Sequence, residues 1–175
     1  ENMPVIWRGP MVSGAVMQLL SQTEWGKLDY LIVDTPPGTG DVQLTLLQRI
    51  PLNSSIVVTT PQEVSISDCK KGIEMIKRLE KPIIGLIENM SWFKPDDQDK
   101  KYYLFGRDGG KKLAKDYSID LLGQLPLVEI SDNSHIQNHP ILKTEFVKIA
   151  EQLADKVKAL NEKKSSDIPQ INLIK

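Results

Sequence analysis

Four short apolar runs recur along the chain: Tyr30-Leu31-Ile32-Val33, Ile56-Val57-Val58, Ile83-Ile84-Gly85-Leu86-Ile87 and Leu121-Leu122-Gly123. Each is continuous rather than alternating and is bounded by turn residues, which is the pattern of a strand buried on both faces. Between residues 65 and 79 the spacing changes. Ile66, Cys69, Ile73 and Ile76 recur at steps of three and four opposite Lys70, Lys71, Lys77 and Arg78, which predicts an amphipathic helix with Cys69 on its core side. Phe146, Ile149, Leu153, Val157 and Leu160 repeat the period and predict a longer C-terminal helix. Strands alternating with helices imply βαβ units, hence an α/β fold with a doubly wound, mostly parallel sheet and helices on both faces. The chain turns polar after Asn161, so residues 1–160 are expected to form one domain and 161–175 an extended, mobile tail.

Composition narrows the class without changing that picture. With 175 residues the chain suits one domain and can own a core without staples. Its 22 basic and 23 acidic residues leave a net charge of -1, which argues against a nucleic-acid partner. The single cysteine, Cys69, excludes an internal disulfide and a zinc site made of several cysteines. His135 and His139, four apart, are expected to be loop histidines because no further acid or thiol completes a metal site. No apolar run approaches a membrane span, and the first residues carry no targeting pattern, so a reducing, cytoplasmic setting is expected.

In a doubly wound sheet, ligands bind at the carboxyl ends of the strands. The residues after each run therefore carry the chemistry: 34–41, 59–63, 88–91 and 124–128. The most specific string is Asp34-Thr35-Pro36-Pro37-Gly38-Thr39-Gly40-Asp41. An acid at a strand tip suits Mg²⁺ held through water beside a nucleotide. Two prolines stiffen the exit, and Gly38 lets backbone amides approach phosphate oxygens. Asp41 is placed either to cap a helix over residues 42–50 or to orient an attacking water. The segment 94–101, six of whose eight residues are charged, reads as an exposed loop.

These strings, taken in order with Met3-Pro4-Val5-Ile6-Trp7-Arg8-Gly9-Pro10-Met11, Thr60-Pro61-Gln62, Gly85-Leu86-Ile87-Glu88-Asn89-Met90-Ser91 and Phe105-Gly106, resemble the Mrp-type iron-sulfur carrier ATPases. These belong to the MinD/ParA-like P-loop NTPases. Several motifs in register from Met3 to about Pro140 are far more specific than any one of them. The resemblance implies that Asp34 ends the Walker B strand and that Pro36, Pro37, Gly38, Thr39, Gly40 and Asp41 form the second switch loop. It implies that Asn89 hydrogen-bonds adenine, for which a planar amide with donor and acceptor is suited. Gln124, Leu125 and Pro126 would line the base pocket. Arg8 matches a string near the nucleotide and the dimer partner, while Trp7 and Trp25 read as core or interface aromatics. ATP and Mg²⁺ are the implied ligands. A homodimer serving iron-sulfur apo-proteins or assembly proteins, with no membrane and no nucleic acid, is the implied setting.

Two family features are missing from the string. The Gly-Lys-Gly-Gly-x-Gly-Lys-Ser/Thr phosphate loop does not occur between Glu1 and Lys175. The chain is thus expected to be the C-terminal part of the domain, binding ATP poorly by itself and exposing apolar surface and an unpaired sheet edge. The interval 92–103 also lacks the Cys-x-x-Cys with which two subunits bridge a cluster. Carboxylates and lysines there do not replace soft thiolates on iron, so no cluster ligand is assigned. Two rival readings follow. One is an ATP-gated dimeric regulatory or adaptor switch that binds no cluster. The other is a dinucleotide-binding Rossmann domain, disfavoured because Thr59-Thr60-Pro61-Gln62 offers no ribose-reading acid after Val58.

Overall fold

The computed structural model describes residues 9–36, 38–95, 98–129 and 139–166. Eight elements follow one another: α1 (Gly9–Gln22), α2 (Asp41–Arg49), β1 (Ser55–Thr59), α3 (Glu63–Arg78), β2 (Ile83–Glu88), α4 (Gly109–Tyr117), β3 (Leu121–Gln124) and α5 (Pro140–Ser166). The three strands pair in parallel in the order β1-β2-β3. Each is joined to the next through a helix, as parallel neighbours require.

The apolar runs and the helical stripes meet in two cores, one on each face of the sheet. On the first face, Val57 and Leu86 pack with Ile73 of α3 and with Leu113 and Ala114 of α4. Ile66 and Cys69 lie half-buried against that cluster, so the predicted core side of α3 is the observed one. On the second face, Leu122 and Leu125 pack with Leu142 and Ile149 of α5, with Leu153 and Ile87 at the margin. Helices on both faces of a parallel sheet make the doubly wound α/β arrangement the periodicities predict.

One expected strand does not form. Residues 30–33 have no regular secondary structure, and Leu31 and Ile32 are 49% and 87% exposed. A strand of this kind is held by ladder hydrogen bonds and by cover on both faces, and neither is present: β1 pairs only with β2, and no described strand takes residues 30–33. The outer edge of β1 is open among the described residues, and Ile56 and Val58 are 39% and 57% exposed, as expected for a sheet lacking a neighbour. Helices α1 and α2 pack on each other and make no substantial contact with the sheet. Trp25 is exposed, its indole N–H donating to the Leu20 carbonyl at 3.0 Å, so it is no core residue of this chain. At the other end, α5 runs through residues 161–166, where an extended chain was expected. Glu162, Lys163 and Lys164 are good helix formers, and Asn161 accepts a hydrogen bond from Asn53 at 2.9 Å. Residues 167–175 lie outside the described chain.

The sheet is closely packed where β2 and β3 lie side by side. A methyl group on Gly85 would sit 2.3 Å from the Leu122 side chain, within the van der Waals radii. Gly85→Ala is therefore expected to destabilise the fold by about 1–3 kcal/mol, read as a lower urea midpoint at unchanged slope.

Candidate functional site

The carboxyl ends of β1, β2 and β3 are drawn together by backbone hydrogen bonds that continue past the strands. The Asn89 amide donates to the Thr59 carbonyl at 2.7 Å, the Leu125 amide to the Glu88 carbonyl at 2.8 Å, and the Ser91 amide to the Leu125 carbonyl at 2.9 Å. Thr60-Pro61, Asn89-Met90-Ser91 and Gln124-Leu125-Pro126 thus form one crown. At the β1 tip, the Ser65 hydroxyl accepts from the Thr60 amide at 3.1 Å and lies 3.0 Å from the Thr59 hydroxyl. Pro61 is buried beneath the turn at 106–109, and a methyl group on Gly109 would lie 2.5 Å from its carbonyl oxygen. Only a residue without Cβ allows that approach.

Beneath the crown lies a residue that the sequence reading passed over. Glu88, last residue of β2, is fully buried. Its Oε1 accepts from the Ser91 hydroxyl and from the Gln124 amide, each at 2.7 Å. Its Oε2 accepts from the backbone N–H of Gly110 in the first turn of α4. No cation is paired with it among the described residues; neutral donors and the positive end of a helix hold it instead. The signal in the sequence was an acid ending an apolar strand, but Asn89 beside it drew the functional assignment.

The site residues assigned from the sequence separate into two groups. Asn89 is half-buried at the crown; its Oδ1 accepts from the Met90 amide at 2.9 Å, and its Nδ2 has no partner among the described residues. Met90 takes a left-handed conformation, φ 53°, which turns the chain that follows it. Gln124 points inward: its Nε2 serves Glu88 and reaches Asp108 Oδ1 at 3.3 Å. The Leu125 side chain belongs to the α5 core, and Pro126 is buried.

The other group lies on the segment leading into α2. Asp34, Thr35, Pro36, Gly38, Thr39, Gly40 and Asp41 are all exposed, and Asp34 has no hydrogen-bond or ion-pair partner among the described residues. Pro37, Arg8, Trp7 and His135 lie outside the described residues, so the spacing of the two histidines is not seen as a pair. The N-cap of α2 is Gly40, not Asp41; Asp41 occupies the first helical position, where an acid favours the helix dipole. Gln43 was also missed. This buried side chain bridges the loop, accepting from the Gly40 amide at 2.8 Å and donating to the Pro36 carbonyl.

From Trp92 to Asp108 the chain makes an excursion with its own small hairpin. Phe93 and Tyr102 exchange backbone hydrogen bonds at 2.8 and 2.7 Å, and the Leu127 amide donates to the Trp92 carbonyl at 2.7 Å. Lys101 lies 3.8 Å above the Trp92 ring, and Arg107 lies 4.7 Å from the Tyr103 ring. Lys94 pairs with Asp99 at 2.9 Å and, chiefly through that hydrogen bond, holds its carboxyl below the ordinary value of 3.8. Whatever this pair adds is present above that pH and is lost as the pH falls through the lowered value. Elsewhere, burial first and then Glu74 push the Tyr117 phenol above its ordinary value of 10. Cys69 donates weakly to the Val58 carbonyl at 3.4 Å. Among the described residues no group of three acids, histidines or cysteines is placed to hold a metal ion, and no helix is long and apolar enough to cross a membrane.

A parallel sheet with helices on both faces and strand tips that converge is a doubly wound α/β architecture, in which ligands bind at the carboxyl ends of the strands. Comparison with known proteins gives the family. Residues 1–160 match the model of the NUBPL iron-transfer P-loop NTPases, and the chain belongs to this Mrp/NUBPL family. It is 47% identical over 169 residues to an iron-sulfur cluster carrier protein of Methanocaldococcus jannaschii, covering 93% of this chain and 58% of that protein. With the iron-sulfur cluster carrier protein of Escherichia coli K12 the identity is 45% over 163 residues, covering 91% and 44%. With the iron-sulfur cluster transfer protein NUBPL of Dictyostelium discoideum it is 39% over 183 residues, covering 99% and 56%. Among solved structures, a nucleotide-binding protein from Archaeoglobus fulgidus in complex with ADP superposes with a TM-score of 0.60 at 32% identity, covering 81% of this chain and 54% of that one. The chain spans about half the length of these relatives.

If Gln43 is the brace of the loop, Gln43→Ala should cost about 1 kcal/mol. Amide exchange at residues 38–40 should accelerate while exchange at Gly110 stays as it was.

Proposed function

We propose that this chain is the switch-and-base part of an ATP-hydrolysing carrier or assembly factor for iron-sulfur clusters. In this reading residues 1–160 belong to one P-loop NTPase domain whose phosphate-binding loop comes from sequence outside these 175 residues. The observation that carries the reading is the crown, where three strand tips are tied into one edge bearing the Asn89 amide. The family membership and an ADP-bound structural relative support the same ligand class.

The residues divide the work. Asn89 meets the adenine edge, with the Gln124-Leu125-Pro126 segment as the wall of the base pocket. Asp34, an exposed carboxylate without a partner among the described residues, suits a hard cation and would hold Mg²⁺ through water. Mg²⁺ would supply positive charge toward the phosphate oxygens. The loop of Pro36, Pro37, Gly38, Thr39 and Gly40 registers the γ-phosphate through its amides, braced by Gln43, and Asp41 orients the attacking water. Loss of the γ-phosphate relaxes the loop and changes the contacts of a homodimer. The cluster is cargo in the cytoplasm. The excursion at 92–108 carries no thiol, so the thiolates come from apo-protein clients or assembly proteins.

Calorimetry tests the reading. The chain by itself should bind ATP only in the millimolar range and without dependence on Mg²⁺. Joined to the phosphate-binding half of the Methanocaldococcus relative, it should bind with micromolar affinity and hydrolyse ATP, and Asp34→Asn should slow hydrolysis by about 10²-fold. A joined, folded protein that binds no ATP would sink the proposal.

A second reading, an ATP-gated regulatory or adaptor switch that handles no cluster, is favoured by one observation. The excursion is filled with aromatic and cationic side chains where thiolates would be needed. Anaerobic reconstitution of the joined protein with iron, sulfide and a thiol-bearing client separates the two. Cluster absorbance that depends on ATP supports the carrier, and its absence under all conditions supports the switch.

A further inference from the structure

Adenine and guanine present opposite orders of donor and acceptor at the edge they share. Adenine offers its N6 amino donor and then the N1 acceptor, whereas guanine offers the O6 acceptor and then the N1–H donor. A carboxamide pairs with either base if it is free to turn over or if the base is free to slide. Choosing one base therefore needs two constraints, an amide of fixed orientation and a pocket wall of fixed position.

The first constraint is visible at Asn89. The Met90 amide donates to Oδ1 at 2.9 Å, which fixes which end of the carboxamide is oxygen and leaves Nδ2 open. The second leads to Glu88. Its carboxylate holds the Gln124 amide at 2.7 Å, and its carbonyl accepts from the Leu125 amide at 2.8 Å, so one residue ties down the first two positions of the Gln124-Leu125-Pro126 wall. The anchor itself is pinned from behind. The Ser91 hydroxyl shares Oε1 with Gln124 and the Gly110 amide holds Oε2, and a methyl group on Gly110 would lie 2.9 Å from Oε2, so the carboxylate is packed closely against the start of α4. Asn89 follows Glu88 directly in the chain, so both sides of the pocket are referenced to the same buried residue.

We propose that Glu88 is a positioning residue for base selection, fixing the separation between the Asn89 amide and the Gln124-Leu125-Pro126 wall so that adenine is accepted and guanine refused. This rests on the reading of that edge as the base pocket. Glu88 touches no ligand and acts through Gln124 and Leu125. Glu88→Gln keeps the volume but leaves one acceptor oxygen where two are used, Oε1 by Gln124 and Oε2 by Gly110. With its oxygen toward Gln124 it abandons the Gly110 amide and loses the pin from behind, and with its oxygen toward Gly110 it releases Gln124, so in either orientation the wall is no longer fixed.

The test is a side-by-side NMR titration of the 175-residue chain with ATP and with GTP at millimolar concentrations. It follows the side-chain amides of Asn89 and Gln124 and the backbone amide of Gly110. In the wild type, ATP is expected to shift the Asn89 amide and to bind about tenfold more tightly than GTP. In Glu88→Gln that ratio should fall to within about twofold, and the Gly110 proton, deshielded by its carboxylate partner, should move upfield. A lesion that merely loosens the fold weakens both nucleotides alike and leaves the ratio in place. Gln124→Met cuts the same tether from the wall side and leaves the Glu88 carboxylate its other donors. It should lower the ratio equally, and adding it to Glu88→Gln should lower the ratio no further. If Glu88→Gln does not fold, Gln124→Met decides: an unchanged ratio overturns the proposal. Wild-type preference for ATP with the ratio intact in Glu88→Gln also overturns it and leaves the base pocket standing. A wild type whose Asn89 amide responds to neither nucleotide overturns the base-pocket reading and this proposal with it.

Discussion

A carboxylate taken out of water needs other dipoles in place of its hydration, and Glu88 lies wholly inside the fold with no cation paired to it among the described residues. That requirement organises what surrounds it. The Gln124 amide must turn inward, Ser91 must follow two residues past Asn89 with its hydroxyl directed back, and α4 must begin where its first-turn amide reaches Oε2. Gly110 occupies that turn because any larger residue would meet Glu88 and Thr59. The close β2-β3 contact at Gly85 and Leu122 and the α5 core beneath Leu125 add apolar burial to the same frame.

The two groups of site residues rest on very different foundations. The crown stands on a sheet covered on both faces, and its hydrogen bonds continue the strand ladders. The segment from Asp34 to Asp41 leads into α2, braced within itself by Gln43 and without a strand before it among the described residues. Apolar side chains at 31 and 32 lie in water because the cover and the ladder that such a strand requires are not there. In the proposed reading, a loop that changes shape with the state of a phosphate is suited to such a lightly held support, while a surface that distinguishes one base from another needs the rigid one.

The excursion after Ser91 is built from ring-cation contacts and a two-residue antiparallel bridge, and it is joined to the crown at both ends. Asp108, in the left-handed conformation at the start of α4, receives a hydrogen bond from Gln124 and lies 3.6 Å from Arg107, which covers Tyr103. Cluster chemistry in this family therefore has to be reconciled with a surface whose side chains are hard donors and aromatic rings. In the proposed reading, cargo handling is therefore left to thiolates outside this chain.

The period of the apolar positions was enough to find β1, β2, β3, α3 and α5, since each buries a continuous run or a single stripe. The doubly wound class followed from their alternation. The string from Asp34 to Asp41 was singled out by its residue types and Asn89 through the family resemblance; the structure leaves the described residues of the first exposed, with no described strand before them, and sets Asn89 at the crown. Helix α4 escaped because its glycine-rich start resembles a loop; in the fold Leu113 and Ala114 bury its apolar side and Glu88 accepts from its first-turn amide. The segment at 30–33 was misjudged for the opposite reason: its pattern is that of a strand, but a strand exists only where neighbours supply hydrogen bonds. The sequence by itself thus determined which segments have faces to bury and which side chains have chemistry to offer. Only the tertiary structure decided which of those faces found cover and that Glu88 lies buried beneath the joined strand tips, because burial and hydrogen bonding between distant residues are properties of the assembled sheet.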